Sequence, residues 1–134
     1  MREYNGKITG EALTIVSATN TATAAGSGSL QVFGTPFMIA LMEEATCNAV
    51  SDLLEDNETT VGTAINVTHD KASGIGTVIH ANATLTDIDR RKLTFEVVAK
   101  EEDGAVIGKG TIQRFLVDSE RFMKKVEAKC FITQ

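Results

Sequence analysis

The chain predicts an α+β domain in which a curved antiparallel sheet grips one long helix. Three observations lead there. Pro36 is the only proline, and an apolar run follows it to Met42 in a segment that stays largely apolar as far as Val50; proline suits the first helical position, where its missing N–H is not needed. From Thr60 to Val117 the chain reads as four consecutive strands with short polar turns between them, which favours antiparallel pairing. A helix apolar nearly all round is not satisfied by one flat sheet face, so the sheet must curl around it. With 134 residues the chain reads as a single domain, 1–134, large enough for a real core.

In order, Ala12 to Val16 forms a first strand. Residues 20–30 are small and weakly patterned; their threonines favour finishing a strand, and Gly26 to Ser29 reads as a mobile loop, a candidate lid. Thr35 is the expected N-cap of the helix, which runs to about Leu54 before Asp56, Asn57 and Glu58 end it. β-Branched residues fill 60–68, with Thr63, Ile65, Val67 and His69 sharing a face. Ile79, Ala81, Ala83 and Leu85 alternate in the next strand, and Leu93, Phe95, Val97 and Ala99 in the one after. Asp89 to Arg91 is a tight turn, and Asp103-Gly104 is a hairpin signal. The last strand, 105–117, carries Gly108 and Gly110 where a bulge or close approach is expected. Asp118 or Ser119 caps a final helix through about Ala128, whose Phe122, Met123 and Val126 are expected to dock on the body.

A net charge of −5 argues against nucleic-acid binding. No apolar run approaches the roughly 20 residues of a membrane span, and no N-terminal signal peptide is visible. Cys47, expected to pack as a small hydrophobe, and Cys130 do not resemble a secreted disulfide framework. A cytoplasmic location is the expectation.

One residue breaks the helix pattern. At about 100° per residue, Glu44, Asn48, Ser51, Asp52 and Glu55 gather on one solvated stripe. Glu43 falls about 80° outside it, in line with Ile39, Cys47, Val50 and Leu54. A carboxylate there is either a rim residue with its stem on apolar surface or a group held for chemistry in a partly dry cleft. His69 is one of two histidines and follows apolar residues on its strand face; His80 has no acidic partner suggested by the pattern and reads as surface or structural.

The run Val32-Phe33-Gly34-Thr35-Pro36 through Glu43, then Gly62-Thr63-Ala64-Ile65-Asn66-Val67-Thr68-His69, then Gly110-Thr111-Ile112-Gln113-Arg114, resembles the fluoroacetyl-CoA thioesterase-like branch of the hotdog fold. The resemblance covers roughly residues 10–128 and implies a sheet wrapped around a central helix. It also implies hydrolysis of acyl-CoA thioesters, with Thr35, Glu43 and His69 at the catalytic positions. Gly62 stands at a glycine that contacts the substrate carbonyl region and Arg114 at an arginine near the site. Homodimers or higher homo-oligomers are implied, with sites in clefts between subunits. No cofactor or metal is expected; CoA enters as part of the substrate.

The same residues suit the chemistry. A thioester needs an attacking oxygen, a proton manager and donors for the oxyanion. Glu43 can serve as nucleophile or activate water. Thr35, as a cap, would have its oxygen committed to backbone N–H groups and would position rather than attack. Gly62 lets backbone approach a ligand. Arg114 can hold a carboxylate or a CoA phosphate, or form a structural ion pair. Arg90, Arg91 and Lys92, with Lys124 and Lys125, are further candidates for phosphate. The namesake enzyme of the family closes its site with aromatic residues, whereas none lies between Tyr4 and Phe33 here; a general short-chain acyl-CoA thioesterase is therefore expected. The competing readings are a non-catalytic acyl-CoA-binding module and a hotdog dehydratase.

Overall fold

The computed structural model describes residues 1–132, with side chains to residue 128. Strands β1 (Thr9–Ile15), β2 (Glu58–His69), β3 (Val78–Asp89), β4 (Lys92–Glu101) and β5 (Val106–Asp118) form one sheet in the order β1-β3-β4-β5-β2. Every pairing is antiparallel. A helical turn α1 (Ala22–Ala25) precedes the long helix α2 (Thr35–Val50), and α3 (Ser119–Ile132) follows β5.

Alternation sets the inner face of the sheet. Ile79, Ala81 and Ala83 of β3, Leu93, Phe95, Val97 and Ala99 of β4, and Ile107 and Ile112 of β5 are buried together with Met38, Leu41, Met42, Ala45 and Val50 of α2. The helix lies close against β1: a Cβ at Gly10 would collide with the Ala49 and Ala45 backbone. The sheet covers α2 on one side only. Ala40, Glu44, Cys47 and Asn48 are exposed, so the helix is less enclosed than its composition suggests.

Five further expectations are corrected. The N-cap is Gly34, which makes no side-chain cap bond, so Thr35 is the first helical residue and its hydroxyl is not spent on capping. The α-helix ends at Val50, and a 3₁₀ turn, Ser51–Leu53, completes the run. Residues 22–25 are a helical turn rather than strand, because the buried Thr21 hydroxyl caps Ala24 N–H. Cys47 is exposed rather than packed. Phe122, Met123 and Val126 are also exposed rather than docked, although Asp118 does cap α3, accepting from Arg121 N–H at 2.9 Å. The side chain of Cys130 lies outside the described residues.

β2 is an edge strand. Its register with β5 slips between Gly62 and Ala64, which leaves Thr63 as a bulge. Among the described residues nothing pairs with its outer edge, which carries the exposed Ile65.

Candidate active site

The start of α2 is anchored from two sides. Gly34 N–H donates to Asn20 C=O and Phe33 N–H to Ser73 C=O. This presents the side chain of the first helical residue towards the end of β2, where the Thr35 hydroxyl and His69 Nδ1 meet at 2.7 Å. Nε2 of His69 is buried and has no hydrogen-bond partner among the described residues. Burial pushes the imidazole below its ordinary pKa, opposed by the Lys71 main chain and the Asp70 carboxylate. His69 is therefore neutral at pH 7, and a neutral imidazole bonded to a hydroxyl can take its proton.

A second cluster lies further along the helix. Arg114, buried on the inner face of β5, donates from Nε to Thr60 Oγ1 and from Nη2 to Thr60 C=O, each at 2.9 Å. With two of its nitrogens fixed, it offers Nη1 to Glu43 Oε2 at 3.0 Å. The guanidinium side chain is 8% exposed and the glutamate 33%, so the pair sits at the boundary of the core with the carboxylate facing out. The absence of a side chain at Gly62 keeps this carboxylate accessible. A Cβ there would lie 2.6 Å from Glu43 Oε2 and 3.4 Å from Arg114 Nη1. Thr60 gives no signal of this role in the sequence; only the ladder that pairs β2 with β5 brings it to Arg114.

The five expected site residues thus form two groups, Thr35 with His69 and Glu43 with Gly62 and Arg114. Within one chain these groups are well apart. Gly62 and His69 are separated by seven residues of strand, about 23 Å, and Thr35 and Glu43 by eight residues of helix, about 12 Å. The cationic turn at Arg90 to Lys92 lies at the Glu43 end, since Lys92 pairs with Phe115 and Leu93 with Arg114. The root of α3, which carries Lys124 and Lys125, is at the same end, where Asp118 pairs with Glu58. His80 is not without an acidic partner: its Nε2 lies 2.8 Å from Glu102 Oε2 on the surface.

A sheet curled against one long helix defines a hotdog fold, and the family it matches makes it that of a thioester hydrolase. The family model of the fluoroacetyl-CoA-specific thioesterase FlK matches residues 16–120. The fluoroacetyl-CoA thioesterase of Streptantibioticus cattleyicolor is 40% identical over 100 residues, 74% of this chain and 70% of that protein. The chain belongs to the FlK family of acyl-CoA thioesterases. The solved structure of fluoroacetyl-CoA thioesterase FlK superposes with a TM-score of 0.87 at 30% identity, covering 95% of this chain and 98% of that one. A thioesterase superfamily member from Thermus thermophilus shares the fold, with a TM-score of 0.87 at 19% identity over 98% of this chain and 99% of its own. Among the described residues no helix is long and apolar enough to cross a membrane.

Proposed function

We propose that this thioesterase acts on short-chain acyl-CoA without requiring fluorine, in a site completed by two copies of the chain. The observation that carries the reading is the Thr35 hydroxyl, released from capping and bonded to a half-buried, neutral His69 whose Nε2 is buried. In this reading the Thr35 oxygen attacks the thioester carbonyl and its proton passes to His69 Nδ1. The N-terminal end of α2 favours the oxyanion that forms there. Collapse expels the CoA sulfur, which leaves with the proton held by His69. Water then adds to the Thr35 ester as Glu43 takes its proton, and collapse frees the acid as that proton passes to the Thr35 oxygen, which restores both side chains. Side chains supply every proton transfer, so the reaction needs no cofactor beyond the CoA of the substrate.

Glu43 is too far from His69 of its own chain for this work, and the free edge of β2 suggests the remedy. Exposed strand edges pair readily. A two-fold axis near Ile65 and Asn66 would pair β2 of two copies antiparallel and set residue 62 of one opposite residue 69 of the other. Glu43, Gly62 and Arg114 of each copy then face Thr35 and His69 of its partner. The homodimer, with any higher assembly built from it, is part of this reading, as is a cytoplasmic home for a CoA-dependent reaction.

Breadth of substrate follows from the segment before α2. Residues 20–31 bring no aromatic side chain, and Leu30, the largest among them, is exposed. A related FlK structure holds acetyl-CoA in a threonine-to-serine variant, and another holds fluoroacetate with CoA. Hydrolysis of acetyl-, propionyl-, butyryl- and fluoroacetyl-CoA, followed by thiol release, tests the proposal. Comparable kcat/KM for acetyl- and fluoroacetyl-CoA is expected. A preference of several hundredfold for the fluorinated substrate would overturn it.

A further inference from the structure

The segment that follows β2 is fastened by a carboxylate from another strand. Glu101, the last residue of β4, accepts from Lys71 Nζ through both oxygens, at 2.8 and 2.9 Å, and from Ser73 Oγ at 2.7 Å. Its side chain is 12% exposed and Ser73 is buried. The bonds from Lys71 and then Ser73 hold the Glu101 carboxyl below the usual range, so it is ionised wherever the site is active.

The strap held in this way touches both halves of the reacting pair. Lys71 follows His69 by two residues. Ser73 C=O accepts from Phe33 N–H at 2.8 Å, two residues before Thr35. Gly74 bridges Val32 next to it. The strap is otherwise held by the Asp70 and Lys71 N–H groups, which share the Ile107 carbonyl, and by the Thr68 hydroxyl, which donates to Asp70 Oδ2 at 2.8 Å. A segment with so few buried apolar contacts opens easily unless polar bonds close it. We propose that Glu101 is a positioning residue for thioester hydrolysis: its clamp on Lys71 and Ser73 sets the approach of Thr35 to His69 and keeps Nε2 of the imidazole out of water. The inference rests on the reading of Thr35 and His69 as the reacting pair.

In the proposed dimer the Glu43–Arg114 pair of the other copy faces His69, and it is the same in wild type and clamp variants; within the chain, among the described residues, the charges around the imidazole are few. Asp70 lies beside it on its own strap, Lys71 and Glu101 form the clamp, and Lys109 flanks its β5 partner Gly108. The first turn of α2 brings no acidic group. Removing the clamp therefore acts on His69 mainly through hydration.

The test is kcat, KM and the pH profile of acetyl-CoA hydrolysis by Glu101→Ala, Glu101→Gln, Lys71→Met and Lys71→Arg. A displaced reacting pair loses rate steeply, so kcat of Glu101→Ala should fall by about tenfold or more while KM moves far less. Rehydration returns the imidazole pKa towards its ordinary value, so the acid limb should move to higher pH. Lys71→Arg should retain rate and profile. Glu102→Gln, whose carboxylate pairs with the surface His80, should match the wild type. If Glu101→Ala does not fold, Lys71→Met, altered at a half-exposed side chain, carries the same readout. A folded clamp variant with kcat and acid limb both unmoved would overturn the proposal. Full activity in Thr35→Val would instead overturn the reading beneath it, so the two failures are distinguishable.

Discussion

The Thr35 hydroxyl and His69 Nδ1 meet at 2.7 Å across 34 positions of sequence. Because Gly34 is the cap, this bond competes with no helix-end amide for the oxygen. Thr35→Val keeps the shape and removes the oxygen. Its turnover of acetyl-CoA should fall at least a hundredfold, the range of a lost acid–base pair, with little change in Tm. Thr35→Ser should keep most of the rate. Wild-type turnover in the valine variant would show that the pair is structural.

The pH dependence has a definite sign. Burial lowers the His69 pKa below 6.5 in the folded chain. The base works only when neutral, so kcat should be flat near pH 7 and fall through a limb below pH 6.5 as the imidazole protonates. The unfolded chain binds the proton more readily, so the stability held above the unfolded pKa is lost progressively as pH falls through the folded one. NMR titration of the two histidines reads this directly. A His69 that titrates above the ordinary value would contradict the assignment.

Gly62→Ala should damage catalysis more than folding. The new Cβ would meet the far end of the Glu43 side chain, 2.6 Å from Oε2, rather than backbone. The carboxylate can swing aside at small cost in stability, but it then leaves the geometry Arg114 gives it. We expect turnover to drop about tenfold or more with Tm nearly unchanged. An alanine variant with normal kcat would show that Glu43 does not act from this position.

Arg114 ties the inner sheet face to the carboxylate. Arg114→Met strands the Thr60 carbonyl and hydroxyl in a buried site, which costs about 1–3 kcal/mol and also frees Glu43. Arg114→Lys does not restore function, since one ammonium cannot reproduce the three directed bonds of the guanidinium. Chemical denaturation and steady-state rates should show both losses. A lysine variant equal to wild type in both would reduce Arg114 to a plain charge.

The fold was legible where one period dominates. Alternation in 79–85 and 93–99 marks the inner face of the sheet, and the apolar run after Pro36 marks the helix. The off-stripe position of Glu43 pointed to a carboxylate held at the edge of the core, which is where it stands. What was not legible depends on contacts distant in sequence. Threonine and glycine are about equally good caps, so local propensity does not choose between Thr35 and Gly34; His69 claims the Thr35 hydroxyl and the cap is Gly34. Cys47 looked buried because composition does not reveal which side of a helix the sheet leaves open. Thr60, Ser73 and Glu101 carry no motif, and their roles exist only once the ladders are set.

The two groups of site residues yield the sharpest prediction. If Thr35 and His69 of one copy work with Glu43 of the other, Thr35→Val and Glu43→Gln homodimers are both inactive but complement each other. A mixed dimer has one site that receives the valine and the glutamine together, and one that receives neither. Random exchange of equal amounts makes half of the dimers mixed, each with one intact site of two. The mixture should therefore regain about a quarter of wild-type activity, as expected for symmetric subunit pairing about a two-fold axis. Sedimentation of each variant confirms that the dimer is retained, and unfolding and refolding the two together drives the exchange. If the mixture stays as inactive as its parents while mixed dimers are present, each chain carries its own complete site, and Glu43 must reach His69 by a movement of the edge strand instead.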